Sequence, residues 1–204
     1  VKGSSVAAPS LSFQSTKTDD AVVVALGGSV EVPTNSITQV IKLDDASLDK
    51  IKLATGLGTD ATDTFLTATT AALADMATRA VAAIVTGDAK AVDSVVSDST
   101  APKITEVDLN MDTNKLTMQF DEPVNAEQLI VTGLTIQNAG PSQAVTLSAA
   151  SSTSSANGRT IVVDLGTADS NKIKVESSLA TVSNSDAYLS IAVGAVRDMS
   201  DQQI

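Results

Sequence analysis

The side chains best suited to chemistry in this sequence are carboxylates and amides spaced two residues apart. Asp108, Asn110, Asp112 and Asn114 form the pattern D-x-N-x-D-x-N, which matches the first half of a loop whose oxygens converge on calcium. The second half is missing, because neither the glycine of the sharp turn nor the glutamate at the twelfth position follows. We therefore expect a polar hairpin edge and tip, with Asp108, Asn110 and Asp112 kept as calcium candidates.

A second acidic set could converge at a junction between modules. Asp98 lies in a linker-like stretch, Glu122 ends an alternating segment, and Asp75 or Asp198 lies in a late loop. Their oxygens would suit calcium if linker, strand end and late loop met at one end of a sandwich, and the ion would then stiffen the linker. In the simpler alternative, Asp98 caps a turn and Glu122 faces solvent. Calcium is the one cofactor that the sequence offers as a candidate.

Catalysis has little support in the composition. The chain has no His and no Cys, so the commonest general bases and thiol nucleophiles are missing, as are disulfides. Acidic pairs such as Asp44 and Asp45 lie in loop or cap contexts and do not resemble the opposed carboxylates of a glycosidase. We expect no enzymatic activity and no catalytic residues.

The charge and composition also restrict the partners. The net charge is −11, which argues against nucleic acid as a partner, because phosphate binding needs clustered Lys and Arg. No apolar run approaches the roughly 18 residues of a membrane span. The Ser- and Thr-rich loop at residues 148–155 makes O-glycans a candidate modification. Aromatic residues are only 2% of the chain, so the core must be built from Val, Ile, Leu and Ala.

The elements that must position these side chains repeat along the chain. Residues 65–76 recur at 188–199 with an offset of 123, and residues 48–52 recur at 170–174 with an offset of 122. Such long-period similarity is typical of modular arrays. Because Val1 corresponds to Val124, we expect a fragment in which module one lacks its first hairpin and module two lacks its last strand, gaps that strand addition by another subunit could fill.

The module boundary is predicted at the small, polar, Pro-terminated stretch of residues 97–102. We assign residues 1–97 to module one, 98–103 to the linker and 104–204 to module two. The alternating apolar residues of module two predict a hairpin at 104–109 and 116–120, and further strands at 134–137, 144–149, 160–165 and 188–193.

Module one is predicted to contain a short helix at residues 45–53, with Leu48 and Ile51 on one side and Leu53 as a further candidate for that side. The Ala-rich residues 71–83 favour a strand end and loop, because their repeat counterpart contains Gly and Val. Val81 to Val85 and Val92 to Val96 are expected to supply the last strand or strand pair, and Phe65, Phe120 and Tyr188 to pack in the cores.

Three short motifs carry a family resemblance: D-S-T-A-P at residues 98–102, F-D-E-P-V at 120–124, and G-A-V-R-D-M at 194–199. Together they resemble tandem bacterial Ig-like repeats of the type D-x-T-A-P, F-S-E-P-V and D-M-A-G-N, found in large secreted or cell-surface proteins, and are closest in character to marine algal (stramenopile) versions. The chain departs from the pattern at residues 77–79 and 200–202, where the family usually has Ala-Gly-Asn.

The resemblance implies an all-β fold of tandem immunoglobulin-like β-sandwiches, each with one short helical crossover. It further implies a non-catalytic structural segment of an extracellular filament, appendage or surface layer, whose partners are copies of itself or neighbouring repeats. The alternative is a calcium-dependent adhesin module that binds a cell, a glycan or a mineral surface. An accessory module of a secreted enzyme, with its catalytic domain elsewhere, is a third reading.

Overall fold

The fold is β-rich, with several antiparallel sheets and few helices, in a computed structural model of the chain. The structure describes residues 1–19, 21–31, 34–140, 143–181 and 186–204. It divides into two compact units, Val1–Asp98 and Ser99–Ile204. Among the described residues, no helix combines the length and the apolar character needed to cross a membrane.

The first unit contains six strands and one α-helix within the part that the structure describes. They are β1 (Leu11–Gln14), β2 (Val23–Ala25), β3 (Gly28–Val30), β4 (Ile41–Leu43), α1 (Asp45–Leu53), β5 (Phe65–Ala68) and β6 (Lys90–Ala91). One antiparallel sheet has the order β2-β1-β5-β6, and β3 pairs with β4 in a second sheet. The core of this unit is small, with Leu11, Leu26, Ala68 and Ala72 as its buried members.

The second unit contains seven strands and one α-helix, again counting only described residues. They are β7 (Ile104–Asn110), β8 (Lys115–Val124), β9 (Leu134–Gln137), β10 (Ala144–Thr146), β11 (Ser152–Thr153), β12 (Gly158–Asp164), α2 (Thr167–Val175) and β13 (Tyr188–Ile191). The bounds of β7, β8, β9, β10, β12 and β13 agree closely with the predicted hairpin and strands. The short strand β11 was not predicted, because its two residues are both polar.

Two sheets of the second unit share one hydrophobic core. The four-stranded sheet has the order β11-β12-β8-β7 and the three-stranded sheet the order β10-β9-β13. Met118 of β8 and Val163 of β12 are fully buried, as is Leu134 of β9 in the other sheet, and all three belong to the same cluster. The alternation of buried and exposed residues along β8 follows from the two-residue period of a strand.

The repeat in the sequence is also a repeat of structure. The neighbours β2-β1-β5 in the first unit correspond to β10-β9-β13 in the second, and the pair β3-β4 corresponds to β11-β12. The helix follows in the same place, and Ile51 of α1 and its counterpart Ile173 of α2 both pack against the core of their unit. The first unit has a strand, β6, without a counterpart among the described residues of the second, which in turn adds the hairpin β7-β8.

The predicted helix forms, but its buried side is narrower than expected. Asp44 caps α1 by accepting a hydrogen bond from the Ser47 backbone N–H at 2.8 Å, as the sequence pattern indicates. Ile51 packs on the core, whereas Leu48 and Leu53 are more than one-third exposed. The small core of the first unit therefore contacts Ile51 and leaves these two leucines partly in solvent.

The end of the first unit confirms one prediction and corrects another. The Ala-rich residues 71–83 form turns and isolated bridges and no helix, as expected. The last strand is β6 at Lys90–Ala91, however, and not Val92 to Val96, where Val96 is almost fully exposed. Of the other predicted segment, only Ile84 makes a bridge, to Ala68.

The aromatic residues of the second unit differ in their burial. Phe120 is buried in the core as predicted, whereas Tyr188 is 46% exposed. Tyr188 lies on β13, at the edge of its sheet, so its ring has a neighbouring strand on one side only. The prediction that Tyr188 packs in the core was therefore wrong.

Candidate functional site

A pair of buried carboxylates, Glu122 and Asp198, lies at the end of β8 in the second unit. Glu122 lies near the C-terminal end of β8. Val124, the last residue of the strand, forms a β-bridge with Asp198. The Asn125 backbone N–H donates to the Arg197 carbonyl at 2.9 Å. These backbone contacts fix the late loop against the strand end and bring together two of the acidic residues that the sequence singled out.

The two carboxylates are close and largely removed from water. Glu122 is 8% exposed and Asp198 is 1% exposed, and their ligand oxygens lie within 4.8 Å of each other. Two carboxylates whose oxygens lie this close can bind one cation together. An arrangement of this kind favours a cation between the carboxylates, and oxygen donors suit calcium.

The Asp198 carboxylate also organises its own turn. Its Oδ1 accepts the backbone N–H groups of Ser200 and Gln202 at 2.8 and 2.7 Å. Asp75 makes the same two bonds, to Ala77 and Arg79, in the first unit. The turns at residues 77–79 and 200–202 therefore have the same pair of hydrogen bonds to an aspartate in both units.

The two copies of this turn differ in charge. Arg79 donates to the Asp75 carboxylate through Nε at 2.7 Å, and the Arg79 backbone and side-chain bonds hold the pKa of Asp75 below its ordinary value. The counterpart of Arg79 in the second unit is the neutral Gln202. In the first copy of the turn the Arg79 guanidinium is therefore bonded to the Asp75 carboxylate. The second copy has the Gln202 amide at the position of Arg79.

Asp98 is the last residue of the first unit, and within that unit its carboxylate accepts from Lys52 Nζ of α1 at 2.7 Å. Both side chains are only about one-quarter exposed. The structure therefore gives Asp98 a role in anchoring the end of the first unit to its helix. The inclusion of Asp98 in a calcium site remains a prediction.

The residues of the D-x-N-x-D-x-N pattern form a hairpin tip. Asn110 Oδ1 accepts the backbone N–H groups of Asp112 and Thr113 at 3.0 and 2.9 Å, which closes the turn between β7 and β8. Asp108 lies within β7 opposite Thr117. Among the described residues, neither Asp108 nor Asp112 belongs to a group of three acidic side chains with converging oxygens. These contacts favour the polar-tip interpretation over a calcium loop.

The sequence did not single out Asp169, a buried carboxylate of the second unit with several hydrogen bonds. Asp169 of α2 is fully buried, and its Oδ2 accepts from Ser148 N, Ser148 Oγ and Ser151 Oγ at 2.7, 3.0 and 2.8 Å. Burial opposes ionisation, but these bonds and the one from Lys172 outweigh it and lower the pKa of Asp169.

The repeat aligns Asp169 with Ser47 at the offset of 122. This alignment of two polar residues is the signal in the sequence that could have pointed to Asp169. The Ser47 hydroxyl accepts the Gly27 backbone N–H at 2.7 Å, the bond that corresponds to the one from Ser148 N to Asp169. The same contacts engage two serines of the proposed O-glycan loop. Ser151 is buried, whereas Ser152 and Ser154 are exposed and stay candidates for glycosylation.

Comparison with known proteins gives no relative: no family model, no curated protein and no solved structure matches this chain.

Proposed function

We propose that this chain is a non-catalytic structural segment, built from tandem immunoglobulin-like β-sandwiches, of an extracellular filament, appendage or surface layer. The observation that carries the proposal is the repetition of the same strand neighbours, helix and late turn in two successive units. Repetition of one set of elements along a chain is typical of proteins that build extended assemblies.

The strand order supports the immunoglobulin-like assignment. If the seven strands β7 to β13 are named A, B, C, C′, D, E and F, the four-stranded sheet has the order D-E-B-A, which is the order of one immunoglobulin sheet. The other sheet is then C′-C-F. The first unit supplies C′-C-F-G in its sheet β2-β1-β5-β6. The strand orders of the two units thus agree with a single sandwich topology.

Immunogold labelling of intact source cells tests this function. We expect an antibody raised against the recombinant chain to decorate extracellular fibres or a surface layer at regular spacing, and excess soluble chain to abolish the label. Labelling confined to permeabilised cells, or scattered without periodicity, would contradict the proposal. Serum taken before immunisation provides the background.

A calcium-dependent adhesin module is the second candidate, and the buried Glu122–Asp198 pair is the observation that favours it. Oxygens within 4.8 Å of one another on two largely buried carboxylates supply two of the six to eight ligands that calcium takes. Under this proposal calcium stiffens the array, and the acidic surface, with a net charge of −11, faces the cell, glycan or mineral partner.

Calcium titration of the folded chain tests this candidate. Tyr188 is the one tyrosine, the chain has no Trp, and its fluorescence reports unfolding of the second unit. We expect calcium at 100 times its Kd to stabilise that unit by about 2.7 kcal/mol, and Glu122→Gln to weaken binding at least tenfold. Asp164→Asn, an exposed carboxylate, is the matched control. Identical melting in calcium and in chelator would refute the site.

A further inference from the structure

The second unit contains an Asn-Gly pair at the start of β12. Asn157 is followed by Gly158, and no other Asn of the chain precedes a Gly. In such a pair the backbone nitrogen of the glycine can attack the side-chain carbonyl carbon of the asparagine. The attack is easiest before glycine, because glycine has no Cβ to hinder the approach and its backbone adopts conformations closed to other residues. The product of the attack is a five-membered succinimide ring.

The surroundings of the pair favour this attack. The Oδ1 of Asn157 accepts the Ala126 backbone N–H at 2.9 Å, which polarises the carbonyl and would stabilise the negative oxygen that forms on attack. Gly158 pairs with Val124, and the ladder shifts register between Gly158 and Thr160. A Cβ placed on Gly158 would meet no atom of the described residues within 4 Å. The glycine therefore has room to move toward the asparagine side chain, and both residues are only half-buried.

The repeat supplies a matched asparagine in the first unit. Asn35 corresponds to Asn157 at the offset of 122, and its Oδ1 accepts the Gly3 backbone N–H at 3.1 Å. The two asparagines thus make the same kind of bond, but Ser36 follows the first of them. Asn35 is also the more exposed of the two, so exposure alone would favour reaction in the first unit. The glycine is the feature that distinguishes the second copy.

We propose that Asn157 is a site of spontaneous deamidation in the folded chain. The Gly158 nitrogen forms a bond to Asn157 Cγ, the bond from Cγ to the side-chain nitrogen breaks, and ammonia leaves with the proton that the Gly158 nitrogen gives up. Water then opens the ring at either of its two carbonyls. The products are an aspartate or an isoaspartate at position 157, and the one co-reactant consumed is water.

The modification adds a negative charge at the end of β8 that carries the buried carboxylates. Val124 pairs with Gly158 and forms a bridge to Asp198, and Glu122 lies two residues before Val124. The aspartate product keeps an oxygen for the Ala126 N–H. The isoaspartate product adds a carbon to the main chain and displaces Gly158 from its partner, so we expect it to destabilise the second unit. This inference does not depend on the proposed function.

Incubation of the folded chain in warm, mildly alkaline buffer tests the proposal, because base removes the proton from the attacking nitrogen. Peptide mass spectrometry follows each asparagine, since conversion raises the mass by about 1 Da, and chromatography separates aspartate from isoaspartate. We expect Asn157 to react roughly tenfold faster than Asn35 in the same molecules. Equal rates at the two positions would overturn the proposal. So would an Asn157 that stays intact in the folded chain and reacts only in urea, since the fold would then protect it.

Two variants test the role of the glycine. Gly158→Ala should slow the reaction of Asn157 to the rate of Asn35, and the open space at Gly158 should let the variant fold, which circular dichroism checks. Ser36→Gly should raise the reaction of Asn35 toward that of Asn157, because it gives the first unit the same pair. An unchanged rate in Gly158→Ala would show that the reaction does not pass through the succinimide and would contradict the proposal.

Discussion

Replacement of the buried Asp169 carboxylate should destabilise the second unit more than any exposed charge does. Its Oδ2 accepts three hydrogen bonds, two of them from Ser148 and one from Ser151. The serine hydroxyls can rotate toward other acceptors, but the Ser148 backbone N–H cannot. A buried donor left without an acceptor costs about 1 to 3 kcal/mol, and hydrogen bonds to a charged group contribute about 1.5 to 3 kcal/mol.

From these values we expect Asp169→Ala to lower the free energy of unfolding by about 3 to 4 kcal/mol. Asp169→Asn keeps one acceptor oxygen for the Ser148 N–H and loses only the charge, and Lys172 is exposed enough to move away from the new amide. Charge-assisted hydrogen bonds are about twice as strong as neutral ones, so we expect a loss of about 1 to 2 kcal/mol for Asp169→Asn.

The stability lost on Asp169→Asn should become smaller in acidic solution. Because the pKa of Asp169 is lowered in the folded state, ionisation stabilises the fold above the unfolded pKa of about 3.9. That contribution disappears as the pH falls through the lower, folded pKa. The stability difference between the parent and Asp169→Asn should therefore stay constant from neutral pH down to about pH 5 and shrink in more acidic solution.

Urea denaturation followed by Tyr188 fluorescence measures the second unit, because the chain has no other tyrosine and no Trp. Asp164→Asn serves as the matched control in the same unit. Asp164 is 52% exposed and pairs with Lys115 at the surface, so its substitution should cost less than about 1 kcal/mol. Equal losses for the two Asn variants, or a difference that persists unchanged to pH 2, would refute this reasoning.

Two further predictions concern the first unit, measured by the circular dichroism of its urea transition. Asp44→Ala removes the acceptor for the Ser47 N–H at the start of α1 and should lower the free energy of unfolding by about 1 kcal/mol. Asp45→Ala, one residue into the helix, is the control. An equal effect of the two substitutions would contradict a capping role for Asp44. Thr78 has a left-handed backbone with φ of 65°, which a β-branched residue adopts at a cost of the order of 1 kcal/mol. Thr78→Asn should therefore stabilise the unit by several tenths of a kcal/mol, and a lower stability would show that the turn does not strain Thr78.

The second unit was predictable from sequence in most of its strands because its alternation is regular. β8 and β9 carry apolar residues at every second position, and that period decides which face is buried. β7 and β12 are less regular, but turn residues bound both of them. The first unit lacks this regularity: its strands are two to four residues long. Segments that short carry almost no period, so the position of β6 could not be read from the apolar residues 92–96.

The candidate site was predictable in its residue types and only partly in its geometry. The F-D-E-P-V and G-A-V-R-D-M motifs placed Glu122 and Asp198 among the candidates, and the bridge between Val124 and Asp198 brings them together. Asp108 and Asp112 share the same residue chemistry, yet Asn110 uses its oxygen to close the hairpin. Spacing alone does not distinguish a ligand from a turn acceptor, because both need an oxygen at the same distance along the chain.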